Sequence, residues 1–353
     1  MPKLEGRSRI KFHYLDTFIM ILNMSYPVQE TDETIKLHHG TLKKCMQYTM
    51  EGAGDTSRLK NFDYYPWVLE KYGRMFAPDK IAQFSGKIHN IIQSIQKSNG
   101  VVLIYSRYLE GGLLPMALAL EELGLRRYNS TGSSRDLMKT PKYQTDPFIV
   151  KTRQKGDKEE KSIAQYVMIT GTSRFSPNNK KDLEMVFHEN NVDGKYVKVV
   201  LISEAGSEGI DFKYLRQIHI MDPWYNMSRI EQIIGRGIRN KSHCMLPFEE
   251  RNVEIYMHGT VDTTTNTELA DMYMYRIAEE KAIKIGQITR VMKEVAVDCL
   301  LNIDQQKFTE KNMGEPVAIN ASTGKKIQYK IGDKSFSSKC DYMKKCEYKC
   351  SPS

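Results

Sequence analysis

The sequence predicts an α/β fold, in which a parallel β-sheet carries helices on both of its faces. Short apolar runs bounded by turn residues are typical of strands that are buried on both sides. Five such runs occur, at Val101–Tyr105, Tyr166–Thr170, Val197–Ile202, Gln217–Met221 and Val253–Met257. Segments with helical periodicity alternate with them, at Lys87–Lys97, Leu113–Leu123, Lys180–Glu189 and Arg229–Arg239. This alternation across short loops indicates a parallel sheet rather than a hairpin-based one.

Four segments are predicted along the chain. Residues 85–260 form the α/β unit, and its polar stretch near 139–161, with seven basic and four acidic residues, is predicted as an exposed insertion. Residues 1–84 are uncertain, because runs such as Phe18–Leu22 fit a helix or a strand equally well. Residues 261–310 are predicted as a helical extension with a candidate break at Gly286, and residues 311–353 as an irregular, basic, cysteine-containing tail.

Composition and charge narrow the class of protein only slightly. The 353 residues include 52 basic and 43 acidic side chains, which gives a formal net charge of +9. A surplus of this size suits a polyanionic partner without proving one. No window approaches the roughly 18 apolar residues of a membrane span, and the opening residues lack a hydrophobic signal core. We therefore expect an intracellular protein that is neither secreted nor membrane-bound, with its six cysteines as reduced thiols.

The first segment with recognisable chemistry is Ser203–Phe212, which directly follows a predicted buried strand. Its position is at the carboxyl edge of the sheet, where open α/β folds bind ligands. Gly206 and Gly209 would let the backbone approach a phosphate or a sugar, and Asp211 could accept a hydrogen bond from a hydroxyl. Taken alone, a glycine-containing turn of this kind is more often ordinary turn geometry.

A second segment, Arg229–Arg239, follows about twenty residues later. Ser228 and Glu231 fit a capping box, so the helix is predicted to begin there. The spacing of Gln232, Arg236 and Arg239 places them on one helical face, where two arginines could grip phosphate oxygens. Two glycines within one turn destabilise the helix, which indicates a close approach by a neighbour. The alternative is a solvated helix that carries arginines without any ligand.

Together these segments resemble motifs V and VI of superfamily 2 helicases, and Val101–Arg107 is similar to their motif IV. Ser85–Lys87 before a helix, and Asp222-Pro223-Trp224 before the arginine segment, resemble the Swi/Snf-like branch. The chain looks most like the helicases of nucleocytoplasmic large DNA viruses and the related poxvirus early-transcription-factor ATPases. The resemblance implies a RecA-like fold for residues 85–260, as in a helicase C-terminal domain.

Carried over by position, the resemblance also implies roles for individual residues. Arg239 would be the arginine finger, Arg236 a second contact to the γ-phosphate, and Gln232 a link between nucleotide and domain interface. Nucleotide contacts would come from Gly209, Asp211 and Glu208. Nucleic-acid contacts would come from Ser106, Arg107, Ser203 and Gly171.

The phosphate-binding loop of these motors is absent from the sequence, because no Gly-x-x-x-x-Gly-Lys-Ser/Thr run occurs. ATP and Mg²⁺ would therefore be bound mainly by a missing N-terminal RecA-like half, joined in cis or in trans. On this hypothesis the chain is the C-terminal motor half of a helicase or translocase. Its partners would be a DNA or RNA backbone and, if the protein is viral, an RNA polymerase or transcription factors in the host cytoplasm, virus factory or virion.

Two alternatives come from other classes of protein. A non-catalytic RecA-like binding module is favoured by the missing phosphate loop and opposed by the arginine pair. A metalloprotein would be centred on the tail, but Cys340, Cys346 and Cys350 are weak zinc candidates, since only the last two have typical ligand spacing. We predict no metal site, and we interpret the scattered histidines His188, His219, His243 and His258 as structural.

Overall fold

A computed structural model describes residues 12–27, 42–51, 58–128, 130, 136–152, 160–207, 209–265 and 267–351. The helices are α1 Phe12–Asn23, α2 Leu42–Cys45, α3 Pro66–Tyr72, α4 Gly86–Lys97, α5 Leu114–Glu122, α6 Asn179–Val186, α7 Met227–Gly237, α8 Ala270–Glu294 and α9 Cys299–Asn302. The strands are β1 Met46–Glu51, β2 Arg58–Tyr64, β3 Val101–Tyr105, β4 Arg126–Arg127, β5 Ile149–Thr152, β6 Glu160–Ile163, β7 Gln165–Ile169, β8 Val199–Ile202, β9 Leu215–Ile220, β10 Glu254–Met257, β11 Val317–Asn320 and β12 Lys326–Tyr329.

The central sheet has six parallel strands in the order β10-β9-β3-β8-β7-β4. Every residue of β3, β8 and β9 is buried. Burial on both faces explains why β3 and β8 are continuous apolar runs rather than alternating ones, whereas β9 also buries Arg216, Gln217 and His219. The predicted α/β class with a parallel sheet is confirmed, and each of the five predicted strands is present within a few residues of its expected bounds.

Side chains of β3 alternate between two hydrophobic cores, one on each face of the sheet. Val102 and Ile104 lie in the core that also contains α4 and α5. Val101, Leu103 and Tyr105 lie in the opposite core, which contains the apolar side chains of α6 and α7. Helices therefore cover both faces, and loops at the carboxyl ends of the strands are left to form a site.

Helix α4 follows from its sequence. Its isoleucines recur at helical spacing and are fully buried. The side chain of Ser85 accepts a hydrogen bond from the backbone N–H of Ile88 at 3.0 Å, which caps the first turn. The uncertain run Phe18–Leu22 also proves to be helical, as part of α1.

The break predicted at Gly286 is wrong, because α8 runs unbroken from Ala270 to Glu294. A Cβ atom at Gly286 would lie only 2.0 Å from the carbonyl oxygen of Asp341. The glycine therefore admits a close contact with the C-terminal tail. A contact between residues 55 positions apart leaves no local signal, and a glycine inside a helical pattern then resembles a breaker.

The polar stretch near 139–161 is not simply a loop. Strands β5 and β6 pair in antiparallel fashion, with Ile149 opposite Ile163 and Thr152 opposite Glu160. Val150 is buried against the core. Residues 153–159, which hold much of the predicted insertion's charge, lie outside the described residues. The division of the chain into four segments stays a prediction.

Four of the six cysteines are paired, Cys299 with Cys350 and Cys340 with Cys346. The expectation of reduced thiols is therefore wrong for these four, which include the three weak zinc candidates, because their sulfur atoms bond to each other. Cys45 and Cys244 are free. Within the described ranges, no cluster of three or more His, Cys, Asp or Glu side chains is placed to hold a metal ion. None of the described helices combines the length and the apolar character needed to cross a membrane.

Candidate nucleotide and nucleic-acid site

The segment 203–212 lies at the carboxyl end of β8, as predicted, and packs tightly against the end of β7. The backbone N–H of Ser203 donates to the carbonyl of Ile169 at 3.1 Å, and the Ser203 hydroxyl accepts from the N–H of Gly206 at 3.2 Å. A Cβ atom at Gly206 would lie 2.2 Å from the Ile169 carbonyl oxygen, so only glycine fits there. Gly171, which is exposed, faces Ala205 across the same contact.

Arg239 and Asp211, predicted separately as arginine finger and nucleotide contact, form an ion pair with 3.0 Å between Nε and Oδ1. Each side chain is 55% exposed, so the pair is open to solvent. Arg236 Nη1 donates to the carbonyl of Ile210 at 3.2 Å, and its own carbonyl accepts from the N–H of Phe212 at 2.9 Å. The two motifs thus meet at one edge of the sheet.

Helix α7 differs from its prediction at both ends. It begins at Met227 with Asn226 as N-cap and no side-chain cap, so the capping box of Ser228 and Glu231 does not form. It ends at Gly237, so Arg239 lies beyond the helix and not on one helical face with the other two residues. Its ion pair with Asp211 brings it back to the site.

Gln232 and a residue that the prediction missed, Arg229, link α7 to the 203–212 segment. Arg229 Nη1 donates to Gln232 Oε1 at 3.3 Å, and Arg229 Nη2 lies 3.1 Å from Glu204 Oε1. Gly209 is exposed, with φ of +72°. Glu208, predicted to contact nucleotide, lies outside the described residues.

Ser106 was predicted to face a nucleic-acid backbone, but its side chain is fully buried. Its hydroxyl donates to Asp222 Oδ2 at 2.7 Å, and the backbone N–H of Arg107 donates to the same oxygen at 2.6 Å. Asn23 Nδ2 also donates to this carboxylate, at Asp222 Oδ1. Ser106 therefore holds the loop after β3 in place, and a direct contact from its hydroxyl is excluded in this conformation.

Arg107 lies between two aromatic rings, with its guanidinium carbon 4.7 Å from the ring centre of Tyr108 and 4.6 Å from that of Trp224. Trp224 stacks on Tyr225 at 5.1 Å, and Lys281 Nζ lies 5.3 Å from the Tyr225 ring centre. All five side chains are partly exposed. Arg107 is a predicted nucleic-acid contact, whereas its aromatic partners are not, although Trp224 belongs to a segment that carries the resemblance.

A buried ion pair lies next to the residues that hold the loop after β3. Lys87 Nζ lies 2.7 Å from Asp271 Oδ2 and donates to Asn23 Oδ1 at 2.8 Å. Burial raises the pKa of the Asp222 carboxyl, and the Lys87 charge and the hydrogen bonds to that carboxyl lower it again. One cation thus stabilises two buried carboxyl groups, on α8 and on the loop after β9.

None of the four histidines named above belongs to the segments 203–212 and 229–239. His219 Nδ1 and His258 Nε2 are 2.9 Å apart, and His219 Nε2 is 3.1 Å from Gln217 Oε1. Burial lowers the pKa of His219 to about 3 and that of His258 to about 4. Both rings are therefore neutral at physiological pH and hydrogen-bonded within the sheet, which suits the structural interpretation.

Residues 143–241 match the family described as helicase conserved C-terminal domain. Over these residues the chain is similar to a helicase C-terminal domain. Its six-stranded parallel sheet with helices on both faces is the RecA-like fold of that domain, so the predicted fold class is confirmed.

Several viral proteins are similar to the chain. A protein of Acanthamoeba polyphaga mimivirus, named as an ATP-dependent RNA helicase, is 37% identical over 147 residues, which are 40% of this chain and 17% of that protein. A nucleoside triphosphatase I of Heliothis armigera entomopoxvirus is 38% identical over 139 residues, covering 39% and 21%. A termination factor NPH-I homologue of African swine fever virus is 26% identical over 236 residues, covering 62% and 33%. The chain therefore spans a third or less of these relatives, and the resemblance to large DNA virus helicases is confirmed.

Proposed function

We propose that this chain is the C-terminal motor half of an ATP-dependent nucleic-acid helicase or translocase. The observation that carries the proposal is the meeting of Arg239, Arg236 and Asp211 at the carboxyl edge of the parallel sheet. Relatives named as ATP-dependent helicases support the same activity. ATP and Mg²⁺ would be held mainly by an N-terminal half, since this sequence has no phosphate-binding loop.

The two arginines suit a triphosphate in their present environment. Arg239 is half-exposed and contacts a carboxylate oxygen of Asp211, while Arg236 contacts the carbonyl oxygen of Ile210. Phosphate oxygens are acceptors of the same kind, and a guanidinium binds them bidentately. Arg239 would stabilise the charge that develops on the transferred phosphoryl group, and Asp211, once released, could accept a ribose hydroxyl.

The nucleic-acid surface would be the stack of Tyr108, Arg107, Trp224, Tyr225 and Lys281. Alternating aromatic and cationic side chains bind single strands by stacking on bases and attracting phosphates. Its four other members follow β3 and β9 at the carboxyl edge of the sheet, the same edge that carries the arginine pair, and Lys281 lies on α8. Ser203 and Gly171 stay candidate backbone contacts nearby.

The ATPase test joins this chain with its N-terminal half and measures nucleic-acid-stimulated turnover. We expect no turnover from the chain alone and turnover from the pair. Arg239→Ala should lower kcat by about a thousandfold to a hundred-thousandfold, the range for arginine fingers. Arg276→Ala is the matched control, because Arg276 is an exposed arginine on α8 whose ion-pair partners, Glu268 and Glu280, are not part of the 203–212 segment. Equal turnover in both variants would refute the arginine-finger role.

A non-catalytic binding module is the second candidate, favoured by the missing phosphate loop. It predicts nucleic-acid binding with no turnover in any combination. Binding of a labelled single-stranded oligonucleotide, followed by anisotropy, tests the surface that both candidates share. Trp224→Ala should weaken binding by about 1–3 kcal/mol, the usual value of one stacked base. Trp67→Ala on α3 is the control, and equal losses would exclude the proposed stack.

A further inference from the structure

The C-terminal tail, residues 333–351, is held against the second half of α8 by one buried arginine. Arg290 Nε donates to Asp341 Oδ2 at 2.8 Å, and its other nitrogens donate to tail carbonyls at 3.1–3.2 Å. These carbonyls belong to Cys340, Lys345 and Glu347. Lys293 adds a second ion pair to Asp341 at 2.6 Å. The contact at Gly286 described above lets the same part of the tail approach the helix backbone.

The tail also contacts helix α7, which carries Gln232 and Arg236. The hydroxyl of Tyr342 donates to the Glu231 carboxylate on α7, one residue before Gln232. Asp341 and Tyr342 both have left-handed backbones, with φ of 54° and 55°. Non-glycine residues adopt that conformation at a cost in free energy, and they persist in it where surrounding contacts fix them. The tail contacts therefore fix Tyr342 against α7.

Both disulfides close on this part of the tail. Cys340–Cys346 encloses Asp341 and Tyr342 in a small ring, with 4.3 Å between the Cα atoms. Cys299–Cys350 ties the end of the tail to the segment after α8. The backbone N–H of Ser351 donates to the Glu294 carbonyl at 2.7 Å beside this second bond. Opening the bonds would remove the covalent constraints on both sides of Tyr342 and leave only the non-covalent contacts to hold it.

We propose that Tyr342 is a positioning residue for helix α7, and that the two disulfides determine whether it is in place. Closed disulfides hold Tyr342 on Glu231 and thereby hold Gln232 and Arg236 toward the nucleotide. A dithiol reductant opens each S–S bond by thiol–disulfide exchange, supplying two electrons and two protons, and becomes a disulfide itself. The effect on turnover rests on the proposed function, whereas the support of α7 does not.

The first experiment measures amide hydrogen exchange of α7 in the chain alone, which needs no ATPase activity. Tyr342→Phe keeps the ring and removes the hydrogen bond to a charged group, so exchange at residues 227–237 should quicken by about tenfold or more. The control is Tyr329→Phe on β12, which should leave α7 unchanged. In the wild-type chain, a dithiol should produce the same increase, and in Tyr342→Phe it should add little.

Three results would overturn the proposal. One is unchanged α7 exchange in Tyr342→Phe, and another is unchanged α7 exchange in the reduced wild-type chain. The third is stoichiometric zinc bound by four free thiols in protein purified without reductant, because the tail would then be closed by a metal. The paired substitutions Cys340→Ser with Cys346→Ser should mimic reduction of the smaller ring.

The second experiment follows turnover with the N-terminal half present. Tyr342→Phe should lower kcat with little change in KM for ATP, because the arginines act on charge that develops in the transition state. A merely structural defect would instead reduce the amount of active protein and be restored by a correction for active sites. Unchanged kcat beside quickened α7 exchange would overturn the positioning role. Absent turnover in the wild-type pair would refute the proposed function, and the exchange data would still decide the support of α7.

Discussion

Lys87 is a buried cation whose removal should strongly destabilise the fold. Its side chain and that of Asp271 are 3% and 0% exposed, and their charged atoms are 2.7 Å apart. Lys87→Met keeps most of the apolar stem but leaves Asp271 with a hydrogen bond from the N–H of Thr260 at 2.9 Å. The other oxygen of Asp271 is buried without a hydrogen-bond partner among the described residues. Breaking a buried pair from one side usually costs about 3–5 kcal/mol, and we expect that loss here.

The loss should depend on pH, because the Lys87 charge also lowers the pKa of the buried Asp222 carboxyl. Without that charge the folded pKa of Asp222 rises further above its unfolded value. A carboxyl with a raised folded pKa favours the fold at low pH and loses that contribution as pH rises through the folded pKa. The deficit of Lys87→Met should therefore be larger near pH 8 than near pH 5.

Urea unfolding of the wild type, Lys87→Met and a control variant at pH 5 and pH 8 measures this difference in stability. Lys97→Met is the matched control, because Lys97 is exposed at the end of the same helix and should change stability by less than about 0.5 kcal/mol. Adding Asp271→Asn to Lys87→Met removes the uncompensated charge and should recover part of the loss. A Lys87→Met deficit as small as that of Lys97→Met would refute the buried-pair argument.

Three further predictions concern other parts of the chain. Arg239→Ala should change the free energy of unfolding by less than about 1 kcal/mol in thermal or urea unfolding, because an exposed ion pair contributes little; a larger loss would point to a structural role. Gly206→Ala should destabilise by about 1–3 kcal/mol through its clash with the carbonyl of β7, whereas Gly235→Ala, with open space around it, should not destabilise. His219 and His258 have folded pKa values of about 3 and about 4, below the unfolded value. Their contribution to the free energy of unfolding is present above the unfolded pKa and is lost as pH falls toward the folded values. His219→Gln should therefore flatten the dependence of stability on pH between about pH 6.5 and pH 4. A dependence as steep as that of the wild type would contradict this.

The sheet could be predicted because burial of a strand on both faces is visible in that strand's own sequence. Val101–Tyr105 is apolar at every position since both faces of β3 are covered, and no distant residue is needed to recognise it. Helix α4 is similarly local, with a capping serine and a repeated isoleucine. The arginine segment was also predictable in position, although the helix end before Arg239 was not.

What the sequence could not predict depends on contacts between distant positions. The carboxylate of Asp222 accepts a hydrogen bond from Ser106, which lies 116 positions away in the sequence. Glu231, predicted to be part of a capping box, accepts one from Tyr342, which lies 111 positions away. Each of these residues fits a local motif by spacing alone, yet a distant partner decides its hydrogen bond. Gly286 shows the same effect, since the residue that requires it lies in the tail.

The structure contains two kinds of ion pair: a buried pair that stabilises the fold, and an exposed pair whose arginine can change partner. Lys87 and Asp271 are buried, so neither can leave the other without exposing an unpaired charge to a poorly solvated interior. Arg239 and Asp211 are half-exposed, and such a pair contributes only about 0–1 kcal/mol. Arg239 can therefore exchange a carboxylate oxygen for a phosphate oxygen at small cost, whereas the buried pair cannot be broken so cheaply. A side chain that contacts a transient charge must be able to leave its resting partner at small cost. Arg239 meets this condition and Lys87 does not, so Arg239 is the residue to test for turnover.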